Sequence, residues 1–253
     1  MASGLKSRLK EGRPLFGAWL QIAGAYGAEV AGMSGFDWIG IDTQHGFIGY
    51  DTMLQMIRAA SVDGTPVIVR VGANDGAQIG RALDAGADGV IVPMVETRED
   101  VQHAIEACKY APLGVRSWGP MRAALRTKGF TPESANERVV CIPQVETVRG
   151  VDNISEIVEV AGVDIVYIGP NDLAISAGLP PDLRQSNPKH VELIDRVIKM
   201  CREKGIPVGT HVPTPDDCAE WSNRGFAFQA MYLEASEFAR GLRDSLRIAR
   251  GDV

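Results

Sequence analysis

Two neighbouring apolar runs of the sequence each end in an acidic residue: Cys141-Ile142-Pro143-Gln144-Val145-Glu146 and Ile165-Val166-Tyr167-Ile168-Gly169-Pro170-Asn171-Asp172. Uninterrupted apolar runs of this length are typical of buried parallel strands. In a parallel α/β protein the carboxyl ends of neighbouring strands meet on one face, so we expect both acids to lie there. Two carboxylates brought together repel each other unless a proton or a cation lies between them.

Glu146 and Asp172 are therefore candidate ligands of a divalent cation. Oxygen ligands with room left for water or substrate favour Mg²⁺ or Mn²⁺ over a closed zinc site. Co²⁺ is a further candidate, and Zn²⁺ is compatible with the same ligands. The alternative interpretation is that both acids are ordinary helix N-terminal residues, stabilised by the helix dipole. The spacing alone leaves both interpretations open.

The pattern of an apolar run followed by an amphipathic segment repeats along the chain and predicts eight strand and helix units. Eight such units in 253 residues favour a (β/α)₈ TIM barrel, formed as one domain by residues 1–253. The first strand is not followed by GxGxxG, which argues against a dinucleotide-binding sheet. Two long connections, over residues 110–138 and 173–188, are expected to serve function or subunit contacts. The predicted strands are Leu15–Leu20, Trp38–Asp42, Val67–Val71, Gly89–Pro93, Val139–Val145, Ile165–Ile168, Pro207–His211 and Phe226–Ala230.

The helices are predicted from amphipathic periodicity between these strands. They lie over residues 5–12, around Ala28–Met33, and over Asp51–Ala60, Gly76–Ala85, Arg98–Cys108, Val148–Val160, His190–Glu203, Pro215–Arg224 and Ala235–Arg247.

Composition excludes several classes of partner. The net charge of −6 has no basic patch beside it, so nucleic acid is not an expected partner. No stretch approaches about 18 uninterrupted apolar residues, and the N-terminus has no signal-peptide core, so a cytoplasmic protein without a membrane partner is expected. The four cysteines show neither CxxC nor zinc-finger spacing, and are expected to be free thiols: Cys108, Cys141, Cys201 and Cys218.

Polar residues at the predicted strand ends form a candidate ring at the mouth of the barrel. A buried strand rarely carries an arginine without a partner, so Arg70 indicates a bound anion. The alternative is a structural ion pair between Arg70 and one of the ring carboxylates. The ring contains Gln21, Asp42, His45, Arg70, Gln144, Glu146, Asp172 and His211.

His45 is the candidate for proton transfer, because imidazole titrates near neutral pH and Gly46 lets the backbone turn towards the barrel mouth. A structural loop histidine is the alternative. His211 holds a similar position without a recognisable pattern and is a candidate for the substrate pocket. His103 and His190 fall on predicted helices and are expected to face solvent.

No lysine falls at the end of a predicted buried strand, which argues against a Schiff-base aldolase. The seventh and eighth strands also lack the glycine-rich turns that bind sugar phosphates in many barrels.

Five ordered motifs resemble the HpcH/HpaI aldolase family over nearly the whole chain. The resemblance implies a class II pyruvate aldolase. Such an enzyme uses a divalent metal to cleave a 4-hydroxy-2-oxo acid reversibly into pyruvate, or another 2-oxo acid, and an aldehyde through a metal-stabilised enolate. The motifs are Phe36–Gly46, Pro66–Arg70, Val92–Val95, Gln144–Thr147 and Tyr167–Leu173.

The resemblance also assigns roles. It implies that Glu146 and Asp172 bind the metal, that Arg70 contacts the keto acid, and that His45 transfers a proton with Asp84 of a neighbouring subunit orienting it. It further implies a homohexamer, built as a trimer of dimers, whose last helices exchange between subunits.

The expected mechanism gives further roles to residues of the ring. Asp42 supports His45, and Gln144 positions a metal-bound water. Backbone groups at the start of a short helix hold the substrate carboxylate, from Gly169, Pro170, Asn171 and Asp172.

Departures from the family pattern leave the acceptor substrate open. Gln44 stands where many members have an acid, residues 114–119 match only loosely, and His211-Val212-Pro213 replaces a more apolar segment on the aldehyde side. Two alternative functions remain. One is a CoA-thioester lyase similar to the citrate lyase β chain, for which no basic nucleotide patch is seen. The other is a non-catalytic, metal-binding oligomeric scaffold.

Overall fold

The computed structural model describes residues 4–251 and contains a closed barrel of eight parallel strands in sequence order. The barrel closes because the first strand pairs with both the second and the eighth, and the fold predicted from the repeat is confirmed. The strands are β1 Leu15–Leu20, β2 Trp38–Asp42, β3 Val67–Arg70, β4 Gly89–Val92, β5 Val140–Val145, β6 Val166–Ile168, β7 Val208–His211 and β8 Phe226–Leu233.

Helices connect the strands around the outside of the barrel. They are α1 Leu5–Leu9, α2 Ala25–Met33, α3 Tyr50–Ala60, α4 Gly76–Asp84, α5 Arg98–Cys108, α6 Met121–Arg126, α7 Pro132–Arg138, α8 Val148–Asp152, α9 Ile154–Ile157, α10 Pro170–Ser176, α11 Pro188–Glu203, α12 Cys218–Arg224 and α13 Glu234–Arg250. A short 3₁₀ helix, Pro215–Asp217, precedes α12.

Two of the predicted connections differ from the structure. The helix predicted over Val148–Val160 divides into α8 and α9 at Asn153, the residue between them, whose side-chain amide donates to the carbonyl oxygen of Glu96. The connection over residues 110–138 contains α6 and α7, each too short to give a periodic signal in the sequence.

The barrel interior is filled by large side chains, so it is a packed core with no open channel. Trp38 stacks on Phe228 with the ring centroids 4.0 Å apart. A Cβ atom at Gly17 would lie 2.1 Å from the Trp38 ring, so the indole fits only because residue 17 has no side chain. The buried residues of this cluster are Leu5, Leu15, Trp19, Trp38, Ile68, Ile91, Val140, Ile142, Ile165, Tyr167, Phe228 and Ala230.

His190 is fully buried, so its predicted exposure is wrong. It begins the buried stripe of α11, and its Nδ1 lies 3.5 Å from a carboxylate oxygen of Asp182 in the preceding loop. The four cysteines are free and buried.

None of the residues of the last helix, α13, is buried within the described chain. Its apolar side chains recur at helical spacing and stay more than half exposed, at 58% for Phe238, 59% for Leu242 and 51% for Leu246. None of the helices within residues 4–251 is both long and apolar enough to cross a membrane.

Candidate active site

A cavity of about 200 Å³ opens at the carboxyl ends of the strands. This is the face on which TIM barrels place their chemistry. The cavity is lined by Trp19, Gln21, His45, Arg70, Gln144, Gly169, Pro170, Asn171, Asp172, Leu183, His211 and Leu233. The structure thus brings together most of the ring that the sequence predicts, from the ends of six different strands.

Glu146 lies directly after β5, and its side chain is buried beside the cavity. Its Oε1 accepts a hydrogen bond of 2.8 Å from the backbone N–H of Met94, and its Oε2 accepts one from Nε2 of Gln144. Burial raises the pKa of Glu146, and the negative charge of Asp172 raises it further, whereas the two hydrogen bonds and Arg70 lower it. The carboxylate of Asp172 is thus close enough to that of Glu146 for the two charges to repel each other.

Gly169 packs its backbone directly against this carboxylate. A Cβ atom at residue 169 would lie 2.3 Å from Oε2 of Glu146, so any side chain would displace the carboxylate. Pro170 then begins α10, and Asp172 lies in the first turn of that helix, exposed at the cavity wall. The short distance between β6 and α10 therefore carries Asp172 to the same side of the cavity as Glu146.

Asp42 and Arg70 form a buried ion pair. They are register partners on β2 and β3, and the guanidinium binds the carboxylate with both Nε, at 2.9 Å, and Nη2, at 2.6 Å. The structural ion pair, which was the alternative interpretation of Arg70 from the sequence, is therefore present. Nη1 makes no hydrogen bond to any described residue, and Arg70 lines the cavity, so one face of the guanidinium remains available to an anion.

The carboxylate of Asp42 is saturated by donors. It accepts from the indole N–H of Trp19, the amide of Gln21 and the backbone N–H groups of Gln44 and His45, in addition to Arg70. Burial tends to raise the pKa of Asp42, but these hydrogen bonds and the charge of Arg70 lower it overall. Asp42 is thus held as an anion that contacts the backbone of His45 and not its imidazole.

His45 lies on the loop after β2, exposed at the cavity wall. Its imidazole makes no hydrogen bond within residues 4–251 and is free to meet a substrate. A Cβ atom at Gly46 would lie 2.3 Å from the carbonyl oxygen of Asp42, which explains why the turn after His45 requires glycine.

Asp84 lies at the other end of the barrel from His45, because it ends α4 just before β4 begins. Its carboxylate accepts a hydrogen bond of 2.7 Å from Nη2 of Arg116. Asp84 and His45 of one chain therefore do not meet, and the predicted contact between them requires a second subunit.

Three features of the site were not found from the sequence. Met94 has a positive φ of 55°, a conformation that is strained by about 1–3 kcal/mol for a residue other than glycine and that aims its N–H at Glu146. Leu183 reaches the cavity from the loop before α11. The hydroxyl of Tyr167 lies 3.3 Å from Nδ1 of His211. Each depends on loop or register geometry that residue type does not reveal.

The donor set around Glu146 fits a hard divalent cation. Oε1 of Gln144 is buried and has no hydrogen-bond partner among residues 4–251. This oxygen is therefore available as a metal ligand near the two carboxylates. Carboxylate and amide oxygens are ligands that Mg²⁺ and Mn²⁺ prefer. Among the described residues, no three or more His, Cys, Asp or Glu side chains are grouped so that they could hold a metal ion, so the candidate set consists of two carboxylates and one amide oxygen. Such an open set leaves coordination positions for substrate or water.

Known proteins resemble the chain over nearly its full length. A 2-dehydro-3,6-dideoxy-6-sulfogluconate aldolase from Pseudomonas putida is 36% identical, covering 88% of this chain and 87% of the relative. A 4-hydroxy-2-oxo-heptane-1,7-dioate aldolase from Escherichia coli is 32% identical, covering 95% of this chain and 92% of the relative. These relatives support the prediction that the chain is an enzyme of the aldolase type, a carbon–carbon lyase.

A solved structure agrees with both the fold and the family. The crystal structure of an HpcH/HpaI aldolase/citrate lyase family protein from Burkholderia cenocepacia superposes with a TM-score of 0.90 at 31% identity, covering 97% of this chain and 98% of that one. Residues 15–240 match the family described as HpcH/HpaI aldolase/citrate lyase. The chain belongs to the HpcH/HpaI aldolase/citrate lyase family.

Proposed function

We propose that this protein is a divalent-metal-dependent pyruvate aldolase that cleaves a 4-hydroxy-2-oxo acid into pyruvate and an aldehyde. The observation that carries the proposal is the group of oxygen atoms at one side of the cavity: Asp172 and the unpaired Oε1 of Gln144 belong to residues that line it, and Glu146 is buried directly behind Gln144 and is affected by the charge of Asp172. The substrates named for the two related aldolases are both 2-oxo acids, and they differ at the end of the molecule farthest from the 2-oxo group. The 2-oxo acid end is thus the part of the substrate that this site is expected to share with them.

Glu146 and Asp172 would hold the cation, with Mg²⁺, Mn²⁺ and Co²⁺ as candidates and Zn²⁺ as a further one. When bound, it would supply a positive charge that stabilises the enolate of pyruvate. Gln144 would position a water through Oε1. The backbone at Gly169 and Pro170, with the side chains of Asn171 and Asp172, would flank the substrate carboxylate.

Arg70 supplies a second positive charge to the reacting oxygen. Its Nε and Nη2 are fixed by Asp42, so Nη1 is held in the cavity without reorganisation during the reaction. Negative charge develops on the 2-oxo oxygen as the C3–C4 bond breaks, and a donor already in place stabilises that charge most effectively. Asp42 therefore acts as a positioning residue for Arg70.

His45 is the proposed base for the C4 hydroxyl. In cleavage the hydroxyl proton passes to the imidazole, the C4–O bond becomes a carbonyl, and the electrons of the C3–C4 bond move into pyruvate. Asp84 of a neighbouring subunit is proposed to orient the imidazole, because Asp84 of the same chain lies at the other barrel end.

His45→Ala is expected to lower kcat for aldol cleavage by about 10²-fold or more, because general base catalysis contributes at least that much. The melting temperature should not change, since the imidazole makes no hydrogen bond within residues 4–251. His103→Ala is the control, because His103 is also exposed but lies on α5, outside the cavity. Full cleavage by His45→Ala would exclude His45 as the base.

A homo-oligomer is proposed from the exposed apolar face of α13, which has no partner within the described chain. Apolar faces of this kind on soluble domains mark subunit contacts. A hexamer built as a trimer of dimers, with α13 exchanged between subunits, would cover this face. Sedimentation velocity measures the assembly directly, and a monomer at micromolar concentration would contradict the proposal.

A panel of 4-hydroxy-2-oxo acids, assayed for pyruvate release before and after removal of divalent cations, tests the proposed function. We expect release with at least one panel member, its loss on chelation and its return with Mg²⁺, Mn²⁺ or Co²⁺. Cleavage of a CoA thioester without release from any panel member would favour the citrate lyase-like alternative. A scaffold without activity would not release pyruvate from any panel member, and it would not catalyse exchange of the methyl protons of added pyruvate with deuterium.

A further inference from the structure

A second cavity lies at the opposite end of the barrel from the active site. Its lining residues precede β1, β3, β4 and β5, so it opens at the amino ends of these strands, whereas the active-site cavity opens at the carboxyl ends. We call it the basal cavity, and its volume is about 610 Å³. The charged residues that line it are Lys6, Asp88, Arg126, Lys128, Glu137 and Arg138.

The basal cavity carries more positive than negative charge, although the chain as a whole has a net charge of −6. Lys6 is paired with Asp164 at 2.8 Å. Lys128, in contrast, is exposed and makes no hydrogen bond or ion pair within residues 4–251. Of the two acids, Asp88 is shared by two arginines and Glu137 is exposed on α7. The lining therefore keeps a cation that no carboxylate neutralises.

Arg126 and Arg138 share the single carboxylate of Asp88. Nη1 of Arg126 lies 3.2 Å from Oδ2 of Asp88, and Nη2 of Arg138 lies 3.8 Å from Oδ1. Nε and Nη2 of Arg126, and Nε of Arg138, make no hydrogen bond to any residue of the described chain. One negative charge thus faces two guanidinium groups, and both groups keep N–H donors for a further acceptor.

Arg122 lies beside these arginines and is affected by the same charges. Its hydrogen bonds go to a carbonyl oxygen and a hydroxyl oxygen, so it has no carboxylate partner within residues 4–251. Burial lowers the pKa of Arg122, and the positive charges of Arg126 and Arg58 lower it further, whereas Asp88 raises it. The surplus of positive charge therefore extends beyond the residues that line the basal cavity.

A smaller recess of about 30 Å³ adjoins the basal cavity, with Asp88 and Arg126 among the residues that line both. Arg116 also lines this recess. Its Nη2 donates to Asp84 at 2.7 Å, but its Nε is buried and has no hydrogen-bond partner in the described part of the chain. A buried N–H group without an acceptor is costly. The recess therefore offers a donor to one oxygen atom of a ligand in the basal cavity.

The chemistry of these donors is that of a phosphate site. Guanidinium groups bind phosphate oxygens through paired N–H donors, and a lysine adds a point charge. A phosphate group carries about 1.5 to 2 negative charges at pH 7 and presents three acceptor oxygens, whereas a carboxylate carries one charge and two oxygens. The donors here lie on different sides, in the buried recess, around Asp88 and at the exposed Lys128. A group with several acceptor oxygens can meet all of them.

We propose that the basal cavity is a second binding site, which takes a phosphate group either as inorganic phosphate or as part of a small phosphorylated metabolite. Arg126, Lys128 and Arg138 bind the group, and Nε of Arg116 donates to the oxygen that enters the recess. This inference does not depend on the proposed aldolase function, because none of these residues lines the active-site cavity.

Isothermal titration calorimetry with inorganic phosphate and with glucose 6-phosphate tests the site, at an ionic strength held constant with KCl. We expect the wild type to bind at least one of the two probes at the basal cavity. Lys128→Glu should weaken that binding about tenfold or more, because a repulsive charge replaces an attractive one. Arg138→Gln should weaken it about tenfold, because a charged donor is lost.

Lys199→Glu is the matched control, because it reverses the charge of a lysine that is exposed on α11, outside the basal cavity. It changes the net charge by the same amount as Lys128→Glu, and its affinity for both probes should equal that of the wild type. Lys128 has no partner within residues 4–251, so its replacement should leave folding intact. Thermal melting checks Arg138→Gln, which also loses a hydrogen bond to Thr127.

The two probes separate the possible sources of the phosphate group. Tighter binding of glucose 6-phosphate identifies a phosphorylated metabolite as the ligand, whereas equal or weaker binding identifies free phosphate. Any phosphate bound at Arg70 in the active-site cavity persists in both basal variants, so it is counted as a separate site. Binding of neither probe by the wild type, or equal affinity of all four proteins for each probe, would overturn the proposal. Pyruvate release by Lys128→Glu, measured without phosphate, should equal that of the wild type.

Discussion

Glu146→Gln is expected to lower kcat/KM for aldol cleavage by about 10³-fold and to weaken binding of the divalent cation. The substitution removes one of the two carboxylate charges but keeps the shape of the side chain. The amide oxygen can still accept from the backbone N–H of Met94, and the new amide N–H can donate to Gln144 when that side chain turns its unpaired Oε1 towards it, so the loop after β4 should keep its conformation. The expected loss is therefore one of charge, and the melting temperature should change little.

Glu96→Gln is the matched control, because Glu96 pairs with the exposed Arg149 at 3.2 Å and does not line the cavity. Surface pairs of this kind contribute about 0–1 kcal/mol. Equal activity of Glu146→Gln and Glu96→Gln would remove Glu146 from the mechanism. If Glu146→Gln fails to fold, Asp172→Asn replaces it in the comparison with Glu96→Gln. Asp172 is exposed at the cavity wall, so its substitution should leave folding intact.

Arg70→Ala is expected to lose both activity and stability. Loss of the donor at the 2-oxo oxygen should reduce kcat by about 10²–10³-fold. The free energy of unfolding should fall by about 3–5 kcal/mol, because the fully buried Asp42 would keep its charge without its cationic partner. Urea unfolding and pyruvate release measure the two effects separately.

The stability loss in Arg70→Ala should depend on pH in one direction. In the wild type the pKa of Asp42 is lowered, so its contribution to stability is present above the unfolded pKa, about 3.9, and is lost as pH falls through the folded value. Without Arg70, burial raises that pKa relative to the wild type. The gap between the two proteins should therefore be larger at pH 7 than at pH 4.

Arg149→Ala serves as the control, since it breaks an arginine–carboxylate pair at the surface and should cost less than about 1 kcal/mol at either pH. An Arg70→Ala variant as stable as Arg149→Ala would show that the buried pair does not stabilise the barrel. Wild-type turnover in a folded Arg70→Ala would show that Nη1 does not act on the substrate.

The sequence predicts the barrel well because each strand is a distinct apolar run. β1 and β2 begin and end at the predicted residues, whereas β8 continues past Ala230 to Leu233. Its last residues are only partly buried, so the apolar signal there is weaker. Periodicity also places the long helices, but α8 and α9 are too short to be separated by it.

The pairing of polar residues is what the sequence could not predict. Asp42 and Arg70 both appear in the predicted ring, yet their ion pair follows from the register of β2 against β3, which residue type does not reveal. His190 carries a polar side chain on an amphipathic helix, and only its packing against the loop with Asp182 shows that it is buried. The contact of Tyr167 with His211 likewise joins neighbouring strands whose register the sequence leaves open.

Binding of Mn²⁺ to protein stripped of metals tests the central claim most directly, because it needs no substrate. Electron paramagnetic resonance counts the free Mn²⁺ during a titration of the wild type, Glu146→Gln and Asp172→Asn. The account predicts one bound Mn²⁺ for each wild-type chain and much weaker binding in both variants. Equal binding by all three proteins, or full turnover by the stripped wild type, would contradict it.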